Sequence, residues 1–228
     1  MSDTLWGLGC AHYGEDSQDI ALLRKYIQWA RKTKADIAVM GDAFDVGLCF
    51  GTKHIGSIWN NHLSPQEQID AFVDDFRSIK NQIIAVVTGN HEKRADALTD
   101  INPLRVMADT LGVPYYGASK VLTWNQKKIF LAHGSTSGAD TDFNKVLNTY
   151  EGLDAVLLAH THQLSTKQVR RFVIRDGRTT EKLITLARVG SFLKDAAYAK
   201  FALHPPTPIG SAILRCTPTG DLKVQLGI

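Results

Sequence analysis

The chain predicts an α/β protein built on an open sheet, and three observations carry that prediction. Apolar runs of strand length recur: Leu5-Trp6-Gly7-Leu8, Ile37-Ala38-Val39-Met40, Ile83-Ile84-Ala85-Val86-Val87, Ile129-Phe130-Leu131-Ala132 and Ala155-Val156-Leu157-Leu158. Stretches of helical periodicity separate the first three, which is the βαβ pattern of parallel strands. Each run leads into a short polar segment: Cys10-Ala11-His12, Gly41-Asp42-Ala43-Phe44-Asp45, Gly89-Asn90-His91-Glu92, His133-Gly134 and His160-Thr161-His162.

Taken in order, the first strand leads through a glycine-containing loop to a helix over 17–33, where Ile20, Leu23, Ile27 and Ala30 recur at helical spacing. A strand at about 36–40 follows. Residues 46–63 show no clean period and hold Gly47, Gly51 and Gly56 with Phe50, His54, Trp59 and His62. A loop of that length is uncommon in a compact domain. Ser64-Pro65-Gln66-Glu67 opens a helix with a capping box and proline at its first position, running to about Lys80 and into the third strand. A second short helix, over 103–111, ends at Gly112, which suits a left-handed cap. After it the pattern turns to hairpins. One joins 121–124 to 128–132 around Asn125-Gln126, one joins 172–174 to 183–186 around Asp176-Gly177, and one joins 212–215 to 222–225 around Thr219-Gly220. No repeat, low-complexity tract or linker interrupts the chain, so 1–228 reads as one domain.

Composition narrows the function classes. A length of 228 residues suits one well-packed domain, and 44% hydrophobic with 21% charged residues is ordinary globular composition. A net charge of +3 implies no general affinity for nucleic acid or membrane. Cys10, Cys49 and Cys216 are odd in number and lack framework spacing, against a disulfide scaffold. No apolar stretch approaches the roughly 20 residues that cross a bilayer. Ser2-Asp3-Thr4 opens the chain without the features of a signal peptide, so a reducing cytoplasm is the expected location.

Five of the eight histidines sit in the polar segments. In an open α/β sheet, ligands bind at the carboxyl ends of the strands. Imidazoles, an amide and a carboxylate converging there describe a binuclear metal site. Oxygen and imidazole donors without cysteine pairs suit Mn²⁺, Mg²⁺, Zn²⁺ or iron. Two metals about 3.5–4 Å apart clamp both oxygens of an in-line displacement, and water held between them becomes the nucleophile. Linking two dications needs a carboxylate, and Asp42, directly at a strand end, is the best candidate. His160 and His162 alternate, so on a strand both would face one side.

In order and spacing these segments resemble the calcineurin-like metallophosphoesterases, whose pattern is Asp-x-His, Gly-Asp-x-x-Asp, Gly-Asn-His-Glu/Asp, His and Gly-His-x-His. The resemblance spans about residues 5–165. Arg188-Val189-Gly190-Ser191-Phe192 further resembles small bacterial and phage-type members. It implies a four-layer α/β/β/α sandwich of two mixed β-sheets flanked by helices. It implies one metal on His12, Asp42 and His162, and a second on Asp42, Asn90, His133 and His160. His91 would lie beside the scissile phosphate as transition-state stabiliser or proton donor. Asp45 would orient a ligand, and Asn90 would also touch the phosphate.

The chain departs from the pattern at Cys10, where the family has its first aspartate, and at Ala159, where it has glycine. A Cys10 thiolate would bind the first metal and bias it towards zinc or iron, the alternative being a packed thiol. Arg94, just past the third motif, is the candidate phosphate contact, since guanidinium offers paired donors; solvated surface charge is its other reading, for Lys93 too. Arg170, Arg171 and Arg175 read as a solvated face. His54 and His62 sit on the surface or cap the substrate, and Ile55, Ile58 and Trp59 form a dimer contact or a lid.

The expected activity is therefore hydrolysis of a phosphate ester by metal-activated hydroxide, a phosphodiester of nucleotide or nucleic-acid type being favoured by analogy with small members. Phosphomonoesterase or protein phosphatase is the nearest alternative, although the chain is short for a protein-phosphatase core. A DNA nuclease would need a basic groove that +3 does not demand. A non-catalytic binding module with the same fold is supported by Cys10 alone and opposed by His91. No membrane partner is expected.

Overall fold

A computed structural model describes residues 2–46, 61–135, 139–175, 178–194 and 208–228. The order is β1 (Thr4–Leu8), α1 (Ile20–Thr33), β2 (Asp36–Met40), α2 (Pro65–Phe76) continued by a 3-10 stretch (Arg77–Gln82), β3 (Ile83–Val87), α3 (Asn90–Thr99), α4 (Pro103–Leu111), β4 (Ser119–Trp124), β5 (Lys127–Ala132), α5 (Ala139–Thr149), β6 (Ala155–Leu158), β7 (Leu164–Arg175), β8 (Arg178–Ser191), β9 (Gly210–Cys216) and β10 (Leu222–Leu226).

The strands bond in the order β3-β2-β1-β9-β8-β6-β5-β4, with β10 on β9 and β7 on β8. The middle link is thin: β8 meets β9 at Gly190–Ser211 and Ser191–Gly210. Two mixed sheets result, joined at that corner. Strand alternation shows how they stack. Trp6, Ile37, Val39 and Ile213 point to a core shared with α1, α2 and α4. Their neighbours Leu5, Ala38, Met40 and Leu214 share a different core with Ile129, Leu131, Leu157, Ala187 and Val189 of the other sheet. Phe130, Val156, Leu158 and Leu186 pack on the far side with Phe143 of α5. Three apolar layers between four layers of secondary structure make the expected α/β/β/α sandwich. The two sheets approach closely beside the site. A Cβ on Gly7 would lie 2.8 Å from Val189 Cγ1, and one on Gly9 2.7 Å from Ala159 Cβ.

Local chemistry explains most boundaries. The α1 helix starts at Ile20 rather than 17, because the Asp19 side chain accepts the Leu22 N–H and caps it. Both capping-box bonds of Ser64 and Glu67 form at α2, which tightens into the 3-10 stretch after Phe76. Gly112 closes α4 at φ 69°, ψ 41°, the left-handed cap expected. Asn125 and Gln126 turn β4 into β5 with φ of 46° and 63°.

The α3 and α5 helices were not expected. The α3 helix opens on Asn90-His91-Glu92 behind its cap residue Gly89, a segment without helical periodicity, and α5 is short with two acidic residues in its first turn. The β7–β8 hairpin is longer than expected: Phe172 faces Glu181, and Leu183 faces Arg170. Its turn at Asp176-Gly177, together with Gly47, His54, Ile55, Ile58 and Trp59, lies outside the described residues. His62 is exposed beside Asp16. Among the described residues no helix is long and apolar enough to cross a membrane.

Candidate metal centre

The five polar segments meet at one rim of the sandwich. The Cys10 N–H donates to the Gly41 carbonyl at 3.1 Å, the His12 N–H to Asp42 at 3.0 Å and the Ala159 N–H to His133 at 2.9 Å. Gly41, at φ 79°, passes so close to Gly89 that a Cβ on either would strike the other segment's backbone. That contact explains the glycine before both Asp42 and Asn90. Glu92, wholly buried, fastens the junction. Its Oε2 accepts the N–H groups of Asp42 and Gly89, each at 3.0 Å, and its Oε1 accepts that of Phe44 at 3.2 Å. Burial and the neighbouring Asp42 push the Glu92 carboxyl above its usual range. Sequence reading gave Glu92 no role, although an acid three residues past a helix cap is a capping-box signal.

Left-handed backbone concentrates here. Cys10, His12, Asp42, His160 and His162 have φ between 48° and 70°. Each such non-glycine conformation costs about 1–2 kcal/mol and persists where surrounding structure imposes it. His160 and His162 therefore do not alternate along a strand as expected. β6 ends at Leu158, and two left-handed residues turn both rings back to the rim.

All seven expected ligands converge. Ligand atoms of Cys10, His12 and His162 lie within 4.8 Å of one another, as do those of Cys10, Asp42 and His133, and those of His12, Asp42 and His91. His133 Nε2 lies 3.0 Å from Asp42 Oδ2, 2.9 Å from Asn90 Oδ1 and 3.2 Å from His160 Nδ1. Its Nδ1 donates to the Met40 carbonyl at 2.8 Å, so in the neutral ring Nε2 carries a lone pair facing the Asp42 and Asn90 oxygens. His12 Nδ1 faces Asp45 at 3.4 Å, and its Nε2 is buried with no hydrogen-bond partner. Imidazole, carboxylate, amide and thiol groups gathered this closely fit a cation.

The titration pattern agrees with that fit. Burial works against the Asp42 carboxylate, but His133, His91 and His12 hold it well below the usual range. Burial also opposes charge on His133, yet Asp42 raises it. Burial and His12 drive His162 down to about 3, leaving it a neutral donor, and burial with His133 lowers His160. Burial first, then Asp42, push the Cys10 thiol well up, so without a cation it keeps its proton.

A protein-family model described as calcineurin-like phosphoesterase matches residues 4–164. The chain belongs to that family. No curated protein matches it. Among solved structures, this phosphoesterase is similar to wild-type Vps29 complexed with zinc from Entamoeba histolytica, at 14% identity over 97% of each chain with a TM-score of 0.47. It is similar to a metallophosphoesterase from Sphaerobacter thermophilus, at 13% identity over 97% of this chain and 85% of that one, TM-score 0.46. A Thermotoga maritima protein solved by NMR shares 15% identity over 68% of this chain and 85% of its own, TM-score 0.34. The family is metal-dependent and acts on phosphate esters.

The phosphoesterase places His91 between two carboxylates. Its Nδ1 lies 2.8 Å from the Asp45 carbonyl and 3.2 Å from Asp45 Oδ1, while Nε2 points inward, 3.9 Å from Asp42 Oδ2. Burial disfavours its charge, but Asp45 and Asp42 outweigh this and raise it to about 9. Asp45 is in turn held low by His12 and His91 against the effect of burial. Arg94 stands one turn along α3 from Asn90, near enough to oppose protonation of His91.

A buried guanidinium that sequence reading left without a role backs the rim of the phosphoesterase. Arg188 donates to the Ala159 carbonyl at 3.2 Å, lies 3.8 Å from Asp142 and covers the Phe143 ring at 4.9 Å. Asp142 accepts the Ser135 N–H at 2.9 Å and hydroxyl at 2.7 Å. The residues adjoining His133 and His160 are thereby tied together.

Proposed function

We propose that this phosphoesterase hydrolyses phosphate esters, phosphodiesters foremost, at a two-metal centre. The carrying observation is the lone-pair cluster itself. Cys10, His12 and His162 form one group, Cys10 also stands with Asp42 and His133, and His133 meets Asn90 and His160. These residues would hold divalent cations, which would supply the charge that acidifies water and polarises a phosphoryl oxygen.

The chain's own groups do the rest. Asp42 would be the carboxylate that holds the cations. Asn90 turns Oδ1 to His133, which leaves its amide N–H₂ to donate to the phosphate. His91 is anchored through Nδ1, so Nε2 is the atom that meets the substrate, either giving a proton to the leaving oxygen or stabilising phosphoryl charge. Arg94 supplies paired donors to the phosphate. Cys10, a soft donor where the family has aspartate, tilts the first site towards zinc or iron. The diester preference rests on analogy with small family members.

The test is turnover of bis(p-nitrophenyl) phosphate, p-nitrophenyl phosphate and single-stranded DNA after loading with manganese, zinc or iron. Diester turnover fastest, and abolished by a chelator, is expected. Faster turnover of the monoester overturns the diester assignment, faster turnover of DNA narrows the diester to a nuclease substrate, and no turnover with any metal overturns the enzyme.

A further inference from the structure

Asp45 is held by more than the two histidines it touches. Its Oδ2 accepts a hydrogen bond of 2.6 Å from Asn61 Nδ2, and Asn61 Oδ1 accepts one of 3.1 Å from Gln68 Nε2. Gln68, on α2, is 0% exposed. Its Oε1 accepts the Val46 N–H at 3.0 Å, and its Nε2 also donates to the Leu63 carbonyl at 3.0 Å. Gly14, at φ 92°, lies against the same side chain, where a Cβ would come 2.6 Å from Gln68 Nε2. A buried amide costs several kcal/mol to desolvate unless its bonds are made, so packing alone would be better served by leucine.

The orientation of both amides follows from the ends of the chain of bonds. The Val46 N–H can only donate, so it faces the Gln68 oxygen. The Leu63 carbonyl can only accept, so it faces the Gln68 nitrogen. Asp45 Oδ2 accepts, so it faces the Asn61 nitrogen. The donors therefore run one way, from Gln68 to Asn61 to Asp45. With Oδ2 occupied, Oδ1 is the carboxylate oxygen left for the Nδ1 atoms of His12 at 3.4 Å and of His91 at 3.2 Å, where it backs the 2.8 Å bond of His91 to the Asp45 carbonyl.

We propose that Asn61, set by Gln68, is a positioning residue that fixes Asp45 and through it the inward aim of His91 Nε2. The inference rests on the phosphoesterase reading above, in which His91 serves the leaving oxygen. Asparagine meets both demands at this place, accepting from Gln68 and donating to a carboxylate. Aspartate there would set two carboxylates face to face, and alanine would release Oδ2.

The test compares wild type with Asn61→Ala, Asn61→Asp and Gln68→Leu on aryl and alkyl phosphodiesters of graded leaving-group basicity. Metal content, thermal melting and the imidazole N–H signals of the metal-free protein are followed beside it. A nitrophenolate departs without a proton, whereas a phenolate or alkoxide needs one. Metal content and melting close to wild type are expected for Asn61→Ala, with KM nearly unchanged. Its kcat falls at least about tenfold on the basic leaving groups and far less on nitrophenyl esters, within the 10²–10⁴ that proton transfer contributes. The Nδ1–H signal of His91 shifts in parallel, its bond to the Asp45 carbonyl remaining. Asn61→Asp shows a larger fall of the same pattern and Gln68→Leu a smaller one. An equal fall on every ester, or none, overturns the inference while leaving the phosphoesterase standing. A wild type inactive on the whole series overturns the functional reading and this inference with it.

Discussion

Asp42 and His133 belong to different sheets, yet Oδ2 of one lies 3.0 Å from Nε2 of the other. The candidate centre therefore straddles the seam of the sandwich. Strands β1 to β3 deliver Cys10, His12, Asp42, Asn90 and His91, whereas β5 and β6 deliver His133, His160 and His162. Anything that fixes how the sheets stack fixes the spacing of the ligands.

One buried bond across that seam is open to mutation. Trp124 Nε1, on β4, donates to Asp36 Oδ2, on β2, at 2.8 Å. Replacing Trp124 with phenylalanine keeps most of the apolar contact and leaves a largely buried carboxylate one donor short. A bond to a charged group contributes about 1.5–3 kcal/mol. Chemical denaturation should show a loss of that size, with a melting temperature lower by roughly 4–10 °C. A variant as stable as wild type would remove this bond from the account.

Cys10 makes a spectroscopic prediction. Burial and Asp42 keep its thiol protonated without metal, so metal uptake should release a proton and create a thiolate. The cobalt-loaded protein should show a sulfur-to-cobalt charge-transfer band that Cys10→Ser lacks. Cys10→Asp should still bind metal but shift its preference from zinc towards manganese or magnesium. Identical cobalt spectra for wild type and Cys10→Ser would mean a packed thiol.

Away from the centre, Asp19 links stability to pH. Burial alone would raise its carboxyl, but the Leu22 N–H at 3.0 Å and Lys194 at 3.1 Å outweigh it and leave the group lowered. A folded value below the unfolded one, about 3.9, adds stability that is present above that value and lost as pH falls through the folded one. Asp19→Asn keeps the cap and should flatten the loss of stability below about pH 4. Parallel curves for the two proteins would exclude the linkage.

Much of this was legible in the sequence, for identifiable reasons. Continuous apolar runs with polar ends placed all five polar segments, since run length and a switch to polar residues are local signals. The caps at Ser64 and Gly112 were equally local. What escaped depends on distant contacts. Asn90 and His91 begin a helix because Gly89 and Glu92 are tied to Asp42, some fifty residues earlier. His160 and His162 leave the strand in left-handed turns that propensity disfavours and tertiary packing imposes. Arg188, Asn61 and Gln68 look like ordinary polar residues in the sequence, and only folding sets them against the rim.

Metal stoichiometry tests the central claim most directly. Wild type, His12→Ala and His133→Ala would be equilibrated with zinc or manganese, freed of unbound metal and measured by elemental analysis. The account predicts about two metals per chain in wild type and about one in each variant, because His12 and His133 serve different ions of the pair. One metal or none in the wild type, or the same content in all three proteins, would contradict a binuclear centre at this rim.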